Sequence, residues 1–247
     1  MLVELAQTNI KLGDKKNNLN KAVRLIRESN ADLILFPELF TTGMDYEHIR
    51  ELSEPIDGDT IKKLLKISTN KIIAGSIIEQ DGVDIYNTLV FVEDTRLVGF
   101  YRKIHLFRNE KKYFKSGDEI KVINTRYGLM GLSICYDIRF PQLYGKQTDK
   151  GAIIMLVCAN FPRQRIMHWR TLLAARAIEN QCYVLGCNRV GADNTNEYNG
   201  YSMILDPYGR ILAEAGGNEQ NIMHEIDSDI VVEYREKFPI QKDNKLR

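Results

Sequence analysis

The chain has no large excess of either charge: 34 Lys and Arg against 33 Asp and Glu leave a formal net charge of +1. Without a basic field there is little to hold nucleic acid or an anionic membrane surface, so a neutral or small charged molecule is the expected partner. Long hydrophobic runs are also missing, and the longest, residues 152–159, is too short to span a bilayer. The opening Met1-Leu-Val-Glu-Leu-Ala-Gln7 lacks a basic region, an apolar core and a small-residue cleavage site, so the chain reads as cytoplasmic. Cys135, Cys158, Cys182 and Cys187 form no CxxC pair and have no histidine at zinc-finger spacing, which points away from a structural metal or a disulfide framework and toward reduced thiols. No low-complexity linker interrupts the sequence, so one domain is expected over residues 1–247.

With 247 residues, 44% hydrophobic and 27% charged, the chain can bury a sizeable core. Apolar runs, many of them rich in Val and Ile, predict strands at 2–6, 33–36, 72–78, 88–92, 97–101, 129–134, 153–157, 183–188 and 202–206. Helical periodicity occupies 17–28, 60–68 and 164–180, the last offering Leu172, Leu173, Ala175, Ala177 and Ile178 as a buried stripe. Tight polar links at Glu79-Gln-Asp-Gly82 and Glu93-Asp-Thr-Arg96 suit hairpins, not helical crossovers. Together these predict a layered α/β fold built on mixed sheets, with helices on one face of each sheet.

Three apolar strands each end in a side chain able to do chemistry: Leu33-Ile-Leu-Phe-Pro-Glu38, Phe100-Tyr-Arg-Lys103 and Leu132-Ser-Ile-Cys135. Strand ends form the usual ligand crevice of an α/β sheet, so a carboxylate, an ammonium and a thiol can converge there. A cysteine beside cations at a strand-to-helix junction can have its pKa lowered from about 8.5, although free cysteine is also a common small core residue. Glu38 reads equally as a loop carboxylate after Pro37, and Lys103 as a charge protecting a strand edge. His105, two residues from Lys103, is a rival base in a papain-like Cys-His pair.

In combination, Phe36-Pro-Glu38-Leu-Phe40, Tyr101-Arg-Lys103-Ile-His105-Leu106 and Cys135-Tyr-Asp-Ile-Arg-Phe-Pro141 resemble, in order and spacing, the three signature segments of the nitrilase superfamily of carbon–nitrogen hydrolases. Further matches are Glu110-Lys-Lys-Tyr-Phe114 before Ser116-Gly-Asp118, Ala159-Asn-Phe-Pro162 followed by His168-Trp169, the segment Ala174 to Gln181, and Asp206-Pro-Tyr-Gly209. The resemblance implies a four-layer α-β-β-α sandwich. It carries Glu38 over as general base, Lys103 as stabiliser of the tetrahedral intermediate, Cys135 as nucleophile and Glu110 as a second active-site glutamate that orients the lysine and substrate or assists proton transfer. The backbone N–H of Tyr136 would join Lys103 in holding the oxyanion. Neither metal nor organic cofactor is implied, and Lys103→Ala is expected to fold yet lose activity. Glu179 reads as a structural carboxylate tying arginines.

The short chain, the Cys-Tyr-Asp-Ile-Arg-Phe-Pro segment, and Arg176 to Gln181 leading to Asn188-Arg-Val-Gly191 are similar to the omega-amidase group, which implies amides of α-keto acids (2-oxoglutaramate, 2-oxosuccinamate) as substrates. Other branches, acting on deaminated glutathione or N-carbamoyl compounds, would retain the same catalytic residues, and a non-catalytic thiol sensor is the alternative from another class. An anionic substrate needs a cationic clamp, for which Arg139, Arg163, Arg165 and Lys115 are candidates, although Arg139 has Asp137 nearby as a local ion-pair partner. Phe40, Met44 and Phe161 are candidate apolar walls. A homodimer is expected by resemblance, with the Lys-rich end 237–247 reaching across it or remaining mobile; nucleic-acid and membrane partners are not expected.

Overall fold

The computed structural model describes residues 1–245. The first half supplies β1 (Leu2–Gln7), β2 (Leu33–Leu35), β3 (Ile72–Asp81), β4 (Asp84–Glu93) and β5 (Arg96–Arg102). The second half supplies β6 (Val122–Thr125), β7 (Gly128–Ile134), β8 (Ile154–Ala159), β9 (Tyr183–Asn188), β10 (Val190–Ala192), β11 (Glu197–Asn199), β12 (Met203–Leu205), β13 (Ile211–Glu214) and β14 (Gln220–Glu225). Helices are α1 (Lys15–Glu28), α2 (Ile49–Leu52), α3 (Asp59–Leu65), α4 (Pro141–Asp149), α5 (Ile166–Asn180), α6 (Asp229–Lys237) and α7 (Ile240–Asp243). None among the described residues is long and apolar enough to cross a membrane.

Two six-stranded mixed sheets result, ordered β14-β1-β2-β3-β4-β5 and β13-β12-β9-β8-β7-β6. Each has a parallel centre, β1-β2-β3 and β7-β8-β9, flanked by antiparallel pairs. Alternation of side chains along the strands sorts them into layers. Leu33, Leu35, Ile72, Ala74, Leu89 and Phe91 enter one core with Met130, Leu132 and Ile134 of the other sheet. Their neighbours Ile34, Ile73, Val90 and Val92 face outward onto Ala22 and Ile26 of α1 and Ile61 and Leu64 of α3. On the other side Leu143 and Tyr144 of α4 and Trp169, Leu173 and Ala177 of α5 join the core of the second sheet. The molecule is thus an α-β-β-α sandwich.

All nine predicted strands and both hairpins are present, with the first turn shifted: β3 runs on to Asp81 and reverses at Gly82 and Val83. The α5 stripe differs from expectation. Trp169, Leu173, Arg176, Ala177 and Asn180 are its buried residues, whereas Ile178 is half exposed. A buried Arg176 accounts for the difference, because its guanidinium caps the Ile138 carbonyl at 2.7 and 3.0 Å and so turns that face inward. At the chain's end, α7 follows α6, and Gln181 Nε2 donates to Phe238 O at 2.7 Å; positions 246 and 247 of the expected reaching tail lie outside the described residues.

Candidate active site

The ends of β2, β5 and β7 meet at one place, and each is held there by backbone anchors. Leu39 N donates to Ser76 Oγ at 2.8 Å, fixing the turn after Glu38, and Lys103 N donates to Asn87 O at 2.9 Å. Beyond β7, Cys135 adopts φ +47°, a left-handed conformation costly for a residue with a Cβ. Asp137 holds it: Oδ2 accepts from Ile134 N at 2.9 Å and from Tyr101 Oη at 2.8 Å, while Oδ1 accepts from His105 N at 3.1 Å. The Cys135 turn is therefore tied to the end of the opposite sheet.

Lys103 is fully buried between two carboxylates, its Nζ donating to Glu38 Oε1 at 2.7 Å and to Glu110 Oε1 at 2.8 Å. Glu38 is held on both oxygens, with Asn87 Nδ2 at 2.8 Å on Oε1 beside Lys103 and, among the described residues, Asn160 N at 2.9 Å as the one donor on Oε2. Glu110 Oε2 accepts from Phe107 N at 2.7 Å, which closes the short 3₁₀ turn Arg108–Lys112 around it. Burial opposes the charge of Lys103, but Glu110 and Glu38 outweigh it and hold the ammonium well above its ordinary pKa. Burial raises the Glu110 carboxyl above its usual range, with Lys103 pulling the other way.

Cys135 departs from the sequence expectation. Its thiol is pushed up, first by burial and next by the negative charge of Glu38, and Lys103 offsets only part of this. The turn that follows, Cys135–Arg139, is a single 3₁₀ segment and not an α-helix, so no aligned helix dipole is available to stabilise a thiolate. Burial and Glu38 both favour the neutral thiol over the thiolate.

Lys103, Glu110 and Cys135 line a cleft of about 490 Å³ with Met44, Tyr46, Phe107, Tyr136, Phe161 and Tyr198 on its walls. Phe40 is not on this wall: it stacks on Phe36 at 4.9 Å within the core under α1, because the left-handed Leu39 turns the chain back into that layer. Arg139 and Arg165 reach the cleft, joined by Arg108. Lys115 instead pairs with Asp84 and Arg163 with Glu197, at the surface. The local pair between Arg139 and Asp137 does not form, since Asp137 points inward. Arg139 lies 5.4 Å over the Phe161 ring and its Nη2 is 3.1 Å from His168 Nδ1. His105 Nδ1 is 2.7 Å from Asp137 Oδ1 and its ring stacks on Phe140 at 3.7 Å; it does not line the cleft, and among the described residues no hydrogen bond joins it to Cys135. Glu179 accepts from Arg176 Nη1 at 2.7 Å, away from the cleft.

Sequence reasoning did not single out Asn87, Asn160, Tyr46, Tyr198 or the bracing role of Asp137. Asn87 carried a legible signal, a carboxamide inside the apolar run Ile85-Tyr-Asn-Thr-Leu-Val90, where an inward polar residue needs a partner. Tyr198 comes from β11, whose three residues carry no strand pattern.

Comparison with known proteins agrees with this geometry. The chain is 38% identical to the 2-oxoglutaramate amidase of Bacillus subtilis (strain 168), over 98% of this chain and 96% of that protein. It is 32% identical to the omega-amidase NIT3 of Saccharomyces cerevisiae, over 99% and 93%. The crystal structure of XC1258 from Xanthomonas campestris, a CN-hydrolase superfamily protein with an arsenic adduct in its active site, superposes with a TM-score of 0.92 at 30% identity, covering 100% of this chain and 98% of that one. The sequence profile of the carbon–nitrogen hydrolases matches residues 2–236, and this chain belongs to that family, whose members hydrolyse carbon–nitrogen bonds other than peptide bonds.

Proposed function

We propose that the chain is a cysteine-dependent omega-amidase of the cytoplasm, a single catalytic domain that converts the amides of short α-keto acids, 2-oxoglutaramate and 2-oxosuccinamate, to the acid and ammonia through a thioester. The observation that carries this reading is Lys103 clamped between Glu38 and Glu110 at a cleft that Cys135 also lines, with Arg139 on its wall. Glu38 takes the thiol proton as sulfur bonds to the amide carbon, and the carbonyl electron pair moves onto oxygen. An ammonium has three donors and two are spent on carboxylates, which leaves Lys103 one N–H for the oxyanion alongside the Tyr136 backbone N–H. When the carbon–nitrogen bond breaks, Glu38 returns its proton to nitrogen and ammonia leaves. Water, deprotonated by the same carboxylate, then attacks the thioester and restores the thiol. The names of the relatives support the acyl group, and four free buried cysteines suit a reducing compartment.

Arg139 is the clamp for the substrate carboxylate in this reading. Among the described residues it has no carboxylate partner, and Phe161 beneath it and Met44 supply apolar wall. Loss of a charged hydrogen bond is worth about 1.5–3 kcal/mol, so Arg139→Ala is expected to raise KM for 2-oxoglutaramate roughly 10- to 100-fold with kcat little changed. Steady-state ammonia release checks this against deaminated glutathione, an N-carbamoyl amino acid and a simple nitrile. Faster turnover of any of these than of the two keto-acid amides would change the substrate, and an unchanged KM in the variant would remove Arg139 from the role.

The chain is further proposed to act as a homodimer. An apolar face of Ile178, Tyr208 and Phe238 is 42–55% exposed, with Tyr208 stacked 4.1 Å from Tyr234. Light scattering is expected to give about twice the chain mass; a monomer at working concentration would refute the pairing.

A further inference from the structure

Asn160 is the first residue beyond β8 and is 4% exposed, yet neither its side-chain Oδ1 nor its Nδ2 has a hydrogen-bond partner. A buried carboxamide with both ends unpaired carries a desolvation penalty that an occupant of the site would remove. Among the described residues lining the cleft, it alone has such atoms. Its main chain is already committed: the N–H donates to Glu38 Oε2 at 2.9 Å and also faces the Cys135 sulfur. That backbone bond fixes the residue between base and nucleophile, where the reacting carbon and its nitrogen must lie. Asn87, the other carboxamide on Glu38, differs on both counts, because its Nδ2 is spent on Oε1 and it does not line the cleft.

We infer that the Asn160 side chain recognises the scissile carboxamide, Oδ1 accepting one N–H of the substrate's NH₂ group and so selecting primary amides over esters of the same acid. This deepens the amidase reading and rests on it. The free enzyme leaves Oδ1 without a donor, and a primary amide supplies one at the point where the leaving nitrogen has to be held for protonation by Glu38. An ester places an oxygen there that has no hydrogen to give, so Oδ1 stays unpaired against a second acceptor. Sites built to bind an N–H or O–H reject analogues lacking it for this reason.

The test compares kcat/KM for the primary amide that the wild-type enzyme hydrolyses fastest with kcat/KM for the methyl ester of the same acyl group. In Asn160→Ala the amide value is expected to fall about 10- to 100-fold and the ester value to stay within about threefold, so the amide-to-ester ratio collapses. An equal fall on both substrates would assign Asn160 to holding Glu38 and Cys135 in place and would overturn the proposal, as would an unchanged amide value. Asn160→Ser gives the same ratio should the alanine variant not fold. Wild-type preference for an amide other than 2-oxoglutaramate and 2-oxosuccinamate would end the keto-acid reading and leave this ratio intact, whereas an unchanged ratio in an active variant ends only the Asn160 assignment. Absence of release from every amide ends both.

Discussion

Replacing Cys135 with alanine is expected to abolish ammonia release, by on the order of 10⁵-fold or more, and to leave the fold in place. The size of the loss follows from the chemistry: without sulfur there is no thioester, and Glu38, Lys103 and the cleft can only bind and polarise an amide that nothing attacks. The fold should survive because the change removes one buried sulfur and leaves Asp137, Tyr101 and Ile134 N still bonded around the turn. A cost of about 1 kcal/mol would move Tm by only about 2–4 °C in a chain of this size. The variant is also the blank for a second measurement. Titrating thiolate absorbance as wild type minus variant should place the Cys135 midpoint above the free-cysteine value of about 8.5, because burial and Glu38 both disfavour the anion. A midpoint below it would mean a preformed thiolate–cation pair, and Glu38 would lose its role as the base that generates the nucleophile.

The second large effect is expected at Lys103, where activity and stability fall together. Removing an oxyanion donor typically costs about 10²–10³ in kcat, and here Glu38 also loses one of the three bonds that aim it. The sequence alone led to the expectation that Lys103→Ala would simply fold and lose activity; complete burial alters the stability half of that statement. Taking one partner from a buried ion pair costs about 3–5 kcal/mol, because the charge left behind has neither water nor a counter-ion. Two carboxylates then face each other across the gap, and Glu110, whose folded pKa is already raised, should be raised further. A carboxyl with a raised folded pKa binds more protons folded than unfolded. Stability of Lys103→Met should therefore be best at pH values below the ordinary carboxylate pKa and be lost as pH rises through the raised one. Denaturant unfolding of this variant across acid and neutral pH checks the sign. Equal destabilisation at every pH would show that the two glutamates do not share the site electrostatically.

Much of the candidate site was legible because three of its members each end an apolar strand. Glu38, Lys103 and Cys135 each follow a run that has to be a strand, and a strand end in a layered α/β fold is where a cleft opens. Glu110 and Asn160 were less visible. The first sits among Lys111 and Lys112 in what reads as a solvated charge cluster, and only the Lys103 ammonium and Phe107 N–H account for its burial. The second stood inside a matching segment, Ala159-Asn-Phe-Pro162, with no sign that its side chain would be left unpaired. β14 escaped notice altogether. Gln-Asn-Ile-Met-His-Glu carries no strong apolar pattern, yet it pairs along all of β1, since an edge strand needs only backbone bonds and one covered face.

The sequence by itself determined the layered α/β class, because apolar runs of strand length separated by helical patterns and tight polar links are local properties of the chain. What only the tertiary structure decided was charge and contact. Whether Arg139 pairs with Asp137, whether His105 reaches Cys135, which cations face the cleft and which way the Cys135 thiol shifts depend on groups that are far apart in sequence. Their interaction strengths depend on burial, which no local pattern encodes. Glu38 and Asn160 are 122 residues apart, and the hydrogen bond between them exists because two sheets pack face to face.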